Sequence, residues 1–211
     1  MPSSTSYKLT YFDLRYLGEG SRQVLIYAGQ KFEDNRINRE LWESQLKSKS
    51  KYGKLPILEV DGKHTLYESA AISRLLARRH GLTGADEFKA ALADEIVDHH
   101  RDVMTAFSGW LFVKVGLKPG DEAQVYKEIA QPTADAQFPV YVKLLKTSGT
   151  GYLVGKKVTW ADLWVADYLT TLIRHGSKLF DKYPELVQFV DRIHSLPQLK
   201  DHIKNRPDNA A

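Results

Sequence analysis

Residues 54–72 read Lys54-Leu55-Pro56-Ile57-Leu58-Glu59-Val60-Asp61-Gly62-Lys63-His64-Thr65-Leu66-Tyr67-Glu68-Ser69-Ala70-Ala71-Ile72, and the pattern runs on to Gly81. Leu55–Val60 is a strand, and Asp61-Gly62 is a hairpin turn signal. Thr65–Tyr67 is the returning strand, and Ser69–His80 is a helix closed by Gly81. Pro56 opens its strand, where a missing N–H is tolerated. Upstream, Lys8–Phe12 is β-rich and ends at Asp13, Glu19–Gln30 reads as a helix with Gly29 near its end, Phe32–Ile37 is extended and Glu40–Lys47 is a short helix. The first ~80 residues therefore run β-α-β-α-β-β-α, an α/β unit.

Past Gly81 the strand signals nearly vanish. Asp86–Phe112, Asp121–Leu145, Thr159–Arg174, Pro184–Leu196 and Pro197–Asn205 carry apolar residues at three- and four-residue spacing, which predicts helices. Thr83-Gly84 is the linker expected between the two textures, dividing the chain into 1–82 and 83–211. Thr159-Trp160-Ala161-Asp162 has capping-box spacing, with Val158 and Leu163 placed as a hydrophobic staple.

The chain of 211 residues is 43% hydrophobic and 27% charged, ordinary for a globular protein. It has no cysteine, which excludes disulfide scaffolds, thiolate zinc sites and cysteine nucleophiles. Residues 1–80 hold 14 Lys/Arg against 9 Asp/Glu, while residues 81–211 hold 16 against 17. An excess this small does not argue for nucleic acid, but it favours a small anionic ligand on the first half. The run Lys47-Ser48-Lys49-Ser50-Lys51-Tyr52-Gly53-Lys54 is too short, with one aromatic, to read as a nucleic-acid patch. No apolar run approaches a membrane span, and Met1–Ser6 lacks a leader pattern, so the expectation is a cytoplasmic protein without membrane partners. His99 and His100 are adjacent and point apart on a helix, so no metal site is expected.

Five strings, in order along nearly the whole chain, resemble the cytosolic glutathione S-transferases, closest to sigma-like enzymes of nematode type. They are Tyr7-Lys8-Leu9-Thr10-Tyr11-Phe12, the segment Lys54–Gly62, Glu68-Ser69-Ala70-Ala71-Ile72, Gly155 through Thr159-Trp160-Ala161-Asp162-Leu163, and Asn205-Arg206-Pro207. The resemblance implies a thioredoxin-like first domain with a mixed four-stranded sheet and an all-helical second domain. It also implies a homodimer and glutathione as co-substrate, conjugated to hydrophobic electrophiles in detoxification.

Carried over residue by residue, it makes Tyr11 the catalytic phenol. A hydroxyl donating to sulfur favours thiolate over thiol, and lowering an ordinary thiol pKa by ~2 units takes ~2.7 kcal/mol. Alternation puts Tyr7 and Leu9 on the same strand face, and Tyr7 is the poorer hydroxyl because it starts the strand. For the tripeptide, Lys47 is expected at the glycyl carboxylate with Trp42 beside it. The Leu55 backbone before a cis Pro56 would pair with the cysteinyl unit, and Gly53 and Lys54 would flank the groove. Glu68 would meet the γ-glutamyl ammonium and Ser69, at a helix N-terminus, its carboxylate. Asp102, sharing a helix face with Asp98, would reach the neighbouring subunit's γ-glutamyl group. Phe12, Leu14, Leu17, Met104, Phe107, Trp110, Trp164 and Tyr168 are the apolar candidates for the electrophile wall. Two departures stand out: Leu17 replaces a basic residue of many sigma enzymes, and Glu68 replaces the commoner Gln.

Thioredoxins and glutaredoxins share the first half's strand order but need a cysteine. The glycine pairs Gly18/Gly20 and Gly149/Gly151 lack the third glycine and context of a dinucleotide fingerprint. A glutathione-dependent prostaglandin isomerase and a non-catalytic carrier of hydrophobic ligands or haem are the alternative readings of the same fold.

Overall fold

The computed structural model describes residues 5–207, so the first part of the Met1–Ser6 reading and the last residues of the chain lie outside it. Strand β1 (Tyr7–Phe12) pairs in parallel with β2 (Glu33–Ile37) and antiparallel with β3 (Ile57–Val60), which pairs antiparallel with β4 (His64–Tyr67). The sheet is mixed and four-stranded, in the order β2-β1-β3-β4, as the resemblance implied. Tyr7, Leu9 and Tyr11 point to one face and are buried there under α1 (Tyr16–Tyr27) and α3 (Ser69–Arg79). A hydroxyl pair, Ser21–Ser73 at 2.8 Å, ties these two helices together. On the opposite face Asn35 Nδ2 donates to Thr10 Oγ1 at 3.0 Å, and Phe12 meets Trp42 edge to face.

Two elements depart from the sequence reading. Helix α1 starts at Tyr16, not Glu19, because the Gly18 and Glu19 amides both bond the Arg15 carbonyl at 3.1 Å. Two glycines in its first turns dilute the helical signal. The segment read as a helix over Glu40–Lys47 is irregular. Asn38 caps a single turn, α2 (Arg39–Leu41), which passes into a π turn over Trp42–Leu46 and a 3-10 turn over Lys47–Lys49.

The helical region holds α4 (Glu87–Lys114), α5 (Glu122–Val125), α6 (Gln131–Ser148), α7 (Trp160–Gly176) and α8 (Pro184–His194), with α9 (Lys200–Asn205) following. The sequence read 121–145 as one helix. The structure interrupts it with a π turn over Tyr126–Ala130. Pro132 lacks the N–H that would reach the Glu128 carbonyl, and the turn adjusts around that gap. Helix α7 is buried on almost every side and packs against α4 and α8. Its start is the predicted capping box, in which the Asp162 carboxylate accepts from the Thr159 amide at 2.8 Å and the Leu153 amide at 2.7 Å.

The chain forms two compact units. One holds the residues up to Leu82 together with those from Pro197 onward, and the other spans Thr83–Leu196. The tail that the sequence reading assigned with 83–211 thus groups with the sheet, where Glu19 of α1 binds His202 and Arg206.

Candidate functional site

The sheet register brings the chain positions of Tyr11, Pro56 and Glu68 to the same end of β1, β3 and β4. Thr10 pairs with Ile57, and Ile57 with Tyr67. Tyr11, Pro56 and Glu68 are each the next residue beyond these pairs along their own chain segments. The Leu55–Pro56 bond is cis, and Pro56 is buried.

Tyr11 is itself buried, and its ring lies directly under α1: a Cβ at Gly18 would stand 2.7 Å from Tyr11 Cγ. The structure covers the ring with α1, and the backbone of Leu17 in its first turn favours the ionised form of the phenol. Burial pushes the phenol far above its ordinary pKa; the Leu17 backbone pulls the other way, the Tyr16 phenol adds to the rise and the Arg22 guanidinium opposes it. A phenol that keeps its proton can donate a hydrogen bond but does not serve as a base. Tyr7, the spare hydroxyl, instead accepts from Arg79 NH1 at 3.2 Å.

Ser69 is the first residue of α3 and is buried, so that the free amides of the helix start lie beside it. Glu68 precedes it with φ 69°, a left-handed conformation that costs a non-glycine residue energy and is concentrated at functional positions. Gly53 has φ 60°. Trp42 is buried, and Lys54 is exposed. Lys47 Nζ bonds Glu43 Oε2 at 2.8 Å with both side chains about half exposed, so the ammonium is held weakly. Asp102 and Asp98 are both exposed on α4.

Phe12, Leu14 and Leu17 are half-buried next to Tyr11. In the helical unit, Phe107 and Trp110 have no exposed surface. They pack on Phe138 and Tyr126, so they are core and not wall. Tyr168 is core as well, its hydroxyl donating to the Met104 carbonyl at 3.4 Å. Met104 and Trp164 are buried. Among the described residues no group of three or more His, Asp or Glu side chains could hold a metal.

Sequence reading missed a charged cluster behind Tyr11. Arg22 and Glu19 are fully buried, and Arg22 lies 5.8 Å from the centre of the Tyr11 ring. Burial alone would raise the Glu19 carboxyl. The His202 hydrogen bond, then the charges of His202, Arg206 and Arg22, hold it well below the ordinary carboxylate range. The one available signal was an acid and an arginine three apart in a helix whose neighbours are apolar or small.

The chain belongs to the glutathione S-transferase family. Residues 7–78 match the family model "Glutathione S-transferase, N-terminal domain", and residues 101–206 match "Glutathione S-transferase, C-terminal domain". It is 43% identical to Glutathione S-transferase 1 of Ascaris suum over 201 residues, covering 95% of this chain and 97% of that one. Among solved structures it is similar to the glutathione S-transferase of Ascaris lumbricoides, with a TM-score of 0.93 and 42% identity over 98% of this chain and all (100%) of that one. It is also similar to Na-GST-3 of the hookworm Necator americanus, described as monomeric, with a TM-score of 0.93 and 36% identity over the same shares of the two chains.

Proposed function

We propose that this transferase joins the thiol of glutathione to hydrophobic electrophilic small molecules, with the Tyr11 phenol holding the sulfur as thiolate. The observation that supports the mechanism is the Tyr11 phenol, buried against Gly18 of α1 and kept protonated by that burial. The free thiol has a pKa of about 8.5, so little is ionised at neutral pH. A charge-assisted hydrogen bond from the phenol stabilises the anion, and the thiol proton leaves to solvent. The thiolate then attacks the electrophile: an aryl halide loses halide as the carbon–sulfur bond forms, and an activated alkene takes up a proton.

We assign glutathione to the sheet unit. The Leu55 backbone meets the cysteinyl unit, while Glu68 and Ser69 at the α3 start take the γ-glutamyl group. Lys47, released from Glu43, takes the glycyl carboxylate, with Trp42, Gly53 and Lys54 around it. Phe12, Leu14 and Leu17, half-buried in the sheet unit, supply apolar surface for the electrophile. We further assign the chain to the sigma-like class and to the cytoplasm. We also assign a homodimer in which Asp102 reaches the neighbouring subunit's ligand; because a similar hookworm protein is described as monomeric, sedimentation is the direct check.

The experiment is retention on immobilised glutathione combined with conjugation to a chromogenic aryl halide, for wild type and Tyr11→Phe. The variant is expected to bind glutathione, to raise the bound thiol pKa by about 2 units, and to lose turnover at neutral pH. Unchanged turnover would discard the role of Tyr11. Binding without turnover by the wild type would favour a carrier.

A further inference from the structure

Glu19 and Arg22 lie one turn apart on α1, and each is bonded in a different direction. Arg22 faces the strand–helix loop. Its NH1 donates to the Leu14 carbonyl at 2.7 Å and its NH2 to the Phe12 carbonyl at 3.2 Å, while Nε donates to Asp34 Oδ1 at 2.9 Å. Those two carbonyls belong to the first and third residues after Tyr11. Glu19 faces the end of the chain. Its Oε1 accepts from His202 Nε2 at 2.6 Å and Arg206 NH1 at 3.0 Å. The two halves meet at a long contact, Arg22 NH1 to Glu19 Oε2 at 3.4 Å.

That long distance is the informative one. NH1 has two acceptors, and it favours the Leu14 carbonyl because the tail already satisfies Glu19. Without the tail's donors, a buried carboxylate would keep only Arg22 as its cation. It would then draw NH1 toward itself and away from the loop.

We propose that His202 and Arg206 are positioning residues for the thiol site, acting through Glu19 and Arg22 on the Phe12–Leu14 loop and so on the Tyr11 phenol. The inference rests on the assignment of Tyr11 made above. The tail lies 183 and 187 residues from Glu19 in sequence, yet it belongs to the same compact unit.

The test uses the full-length chain carrying His202→Leu with Arg206→Met, and separately Arg206→Lys, which keeps a cation. The readouts are the pKa of enzyme-bound glutathione, followed by thiolate absorbance, and the pH profile of kcat. The double variant is expected to raise the thiol pKa by about half to one unit, lowering kcat at neutral pH about three- to tenfold and recovering it in alkali. Glutathione KM should stay within about twofold, since binding groups are untouched. Arg206→Lys should fall between, and it keeps the test open if the double variant fails to fold. Adding the double change to Tyr11→Phe should give no further pKa shift. A kcat profile superimposable on wild type, even with a lower melting temperature, would reduce the tail to a structural tie and overturn the proposal. A shift that persists in the Tyr11→Phe background would also overturn it. If Tyr11→Phe alone leaves the thiol pKa unmoved, the fault lies in the Tyr11 assignment.

Discussion

Replacing Asp162 with alanine should destabilise this protein more than any surface change. The carboxylate accepts from the Leu153 amide at 2.7 Å, the Thr159 amide at 2.8 Å and the Thr159 hydroxyl at 2.9 Å, all in buried surroundings. Alanine leaves the two amides without acceptors, at about 1–2 kcal/mol each, and strips the cap from the core helix α7, for a total of about 3–4 kcal/mol. In a chain of this size that lowers Tm by roughly 6–16 °C. Asparagine keeps one acceptor oxygen and should cost about half as much. Urea unfolding followed by the fluorescence of Trp160 and Trp164 measures both variants. The asparagine variant also isolates a pH effect. Burial lifts the Asp162 carboxyl to about 6, outweighing the hydrogen bonds from Leu153 and Thr159 that pull it down. The folded state therefore prefers the protonated form. That preference is complete below the unfolded value near 3.9 and fades as pH rises toward 6, so wild type should lose roughly 3 kcal/mol relative to Asp162→Asn across that window. An alanine variant within about 1 kcal/mol of wild type, with an unchanged urea slope, would refute the reasoning.

His100 titrates in the opposite sense: burial, with the neighbouring His99 charge, lowers it to about 3. Its stabilising share is present above the unfolded value near 6.5 and lost on acidification, so His100→Asn should flatten the acid limb of a stability–pH curve. Lys47→Ala breaks only an exposed ion pair, and should shift stability by less than about 0.5 kcal/mol while raising the KM for glutathione several-fold in steady-state kinetics. Glu68→Gly relieves the left-handed strain, and should raise stability by about 1 kcal/mol in the same urea assay while weakening glutathione binding.

Local chemistry carried much of the fold. The Asp61-Gly62 turn, the alternation of Tyr7, Leu9 and Tyr11, and the Thr159–Asp162 spacing each encode their geometry within a few residues, and the structure has all three. The start of α1 was hidden because its first turns hold Gly18 and Gly20, residues of low helix propensity. Yet Gly18 is what lets the helix rest on the Tyr11 ring. The interrupted helices fall where Pro132 removes a backbone donor and where Trp42 turns toward Phe12, and periodicity averages over both. The candidate site divides the same way. Tyr11, Pro56, Glu68 and Ser69 could be named from short strings, and the strand pairing places Tyr11, Pro56 and Glu68 just past the same end of the β1, β3 and β4 pairs. Phe107 and Trp110 could not be told from wall residues, because an apolar helix position reads alike whether it faces a ligand or Phe138.

Arg22 and Glu19 escaped for a deeper reason. A charge in sequence is read as solvated unless its partner is near, and here the partners that make burial tolerable are His202 and Arg206 at the far end of the chain. Their pairing decides how tightly the loop behind Tyr11 is held. The acidity of the bound thiol then depends on contacts that no local window contains, and the phenol and the tail must be tested together.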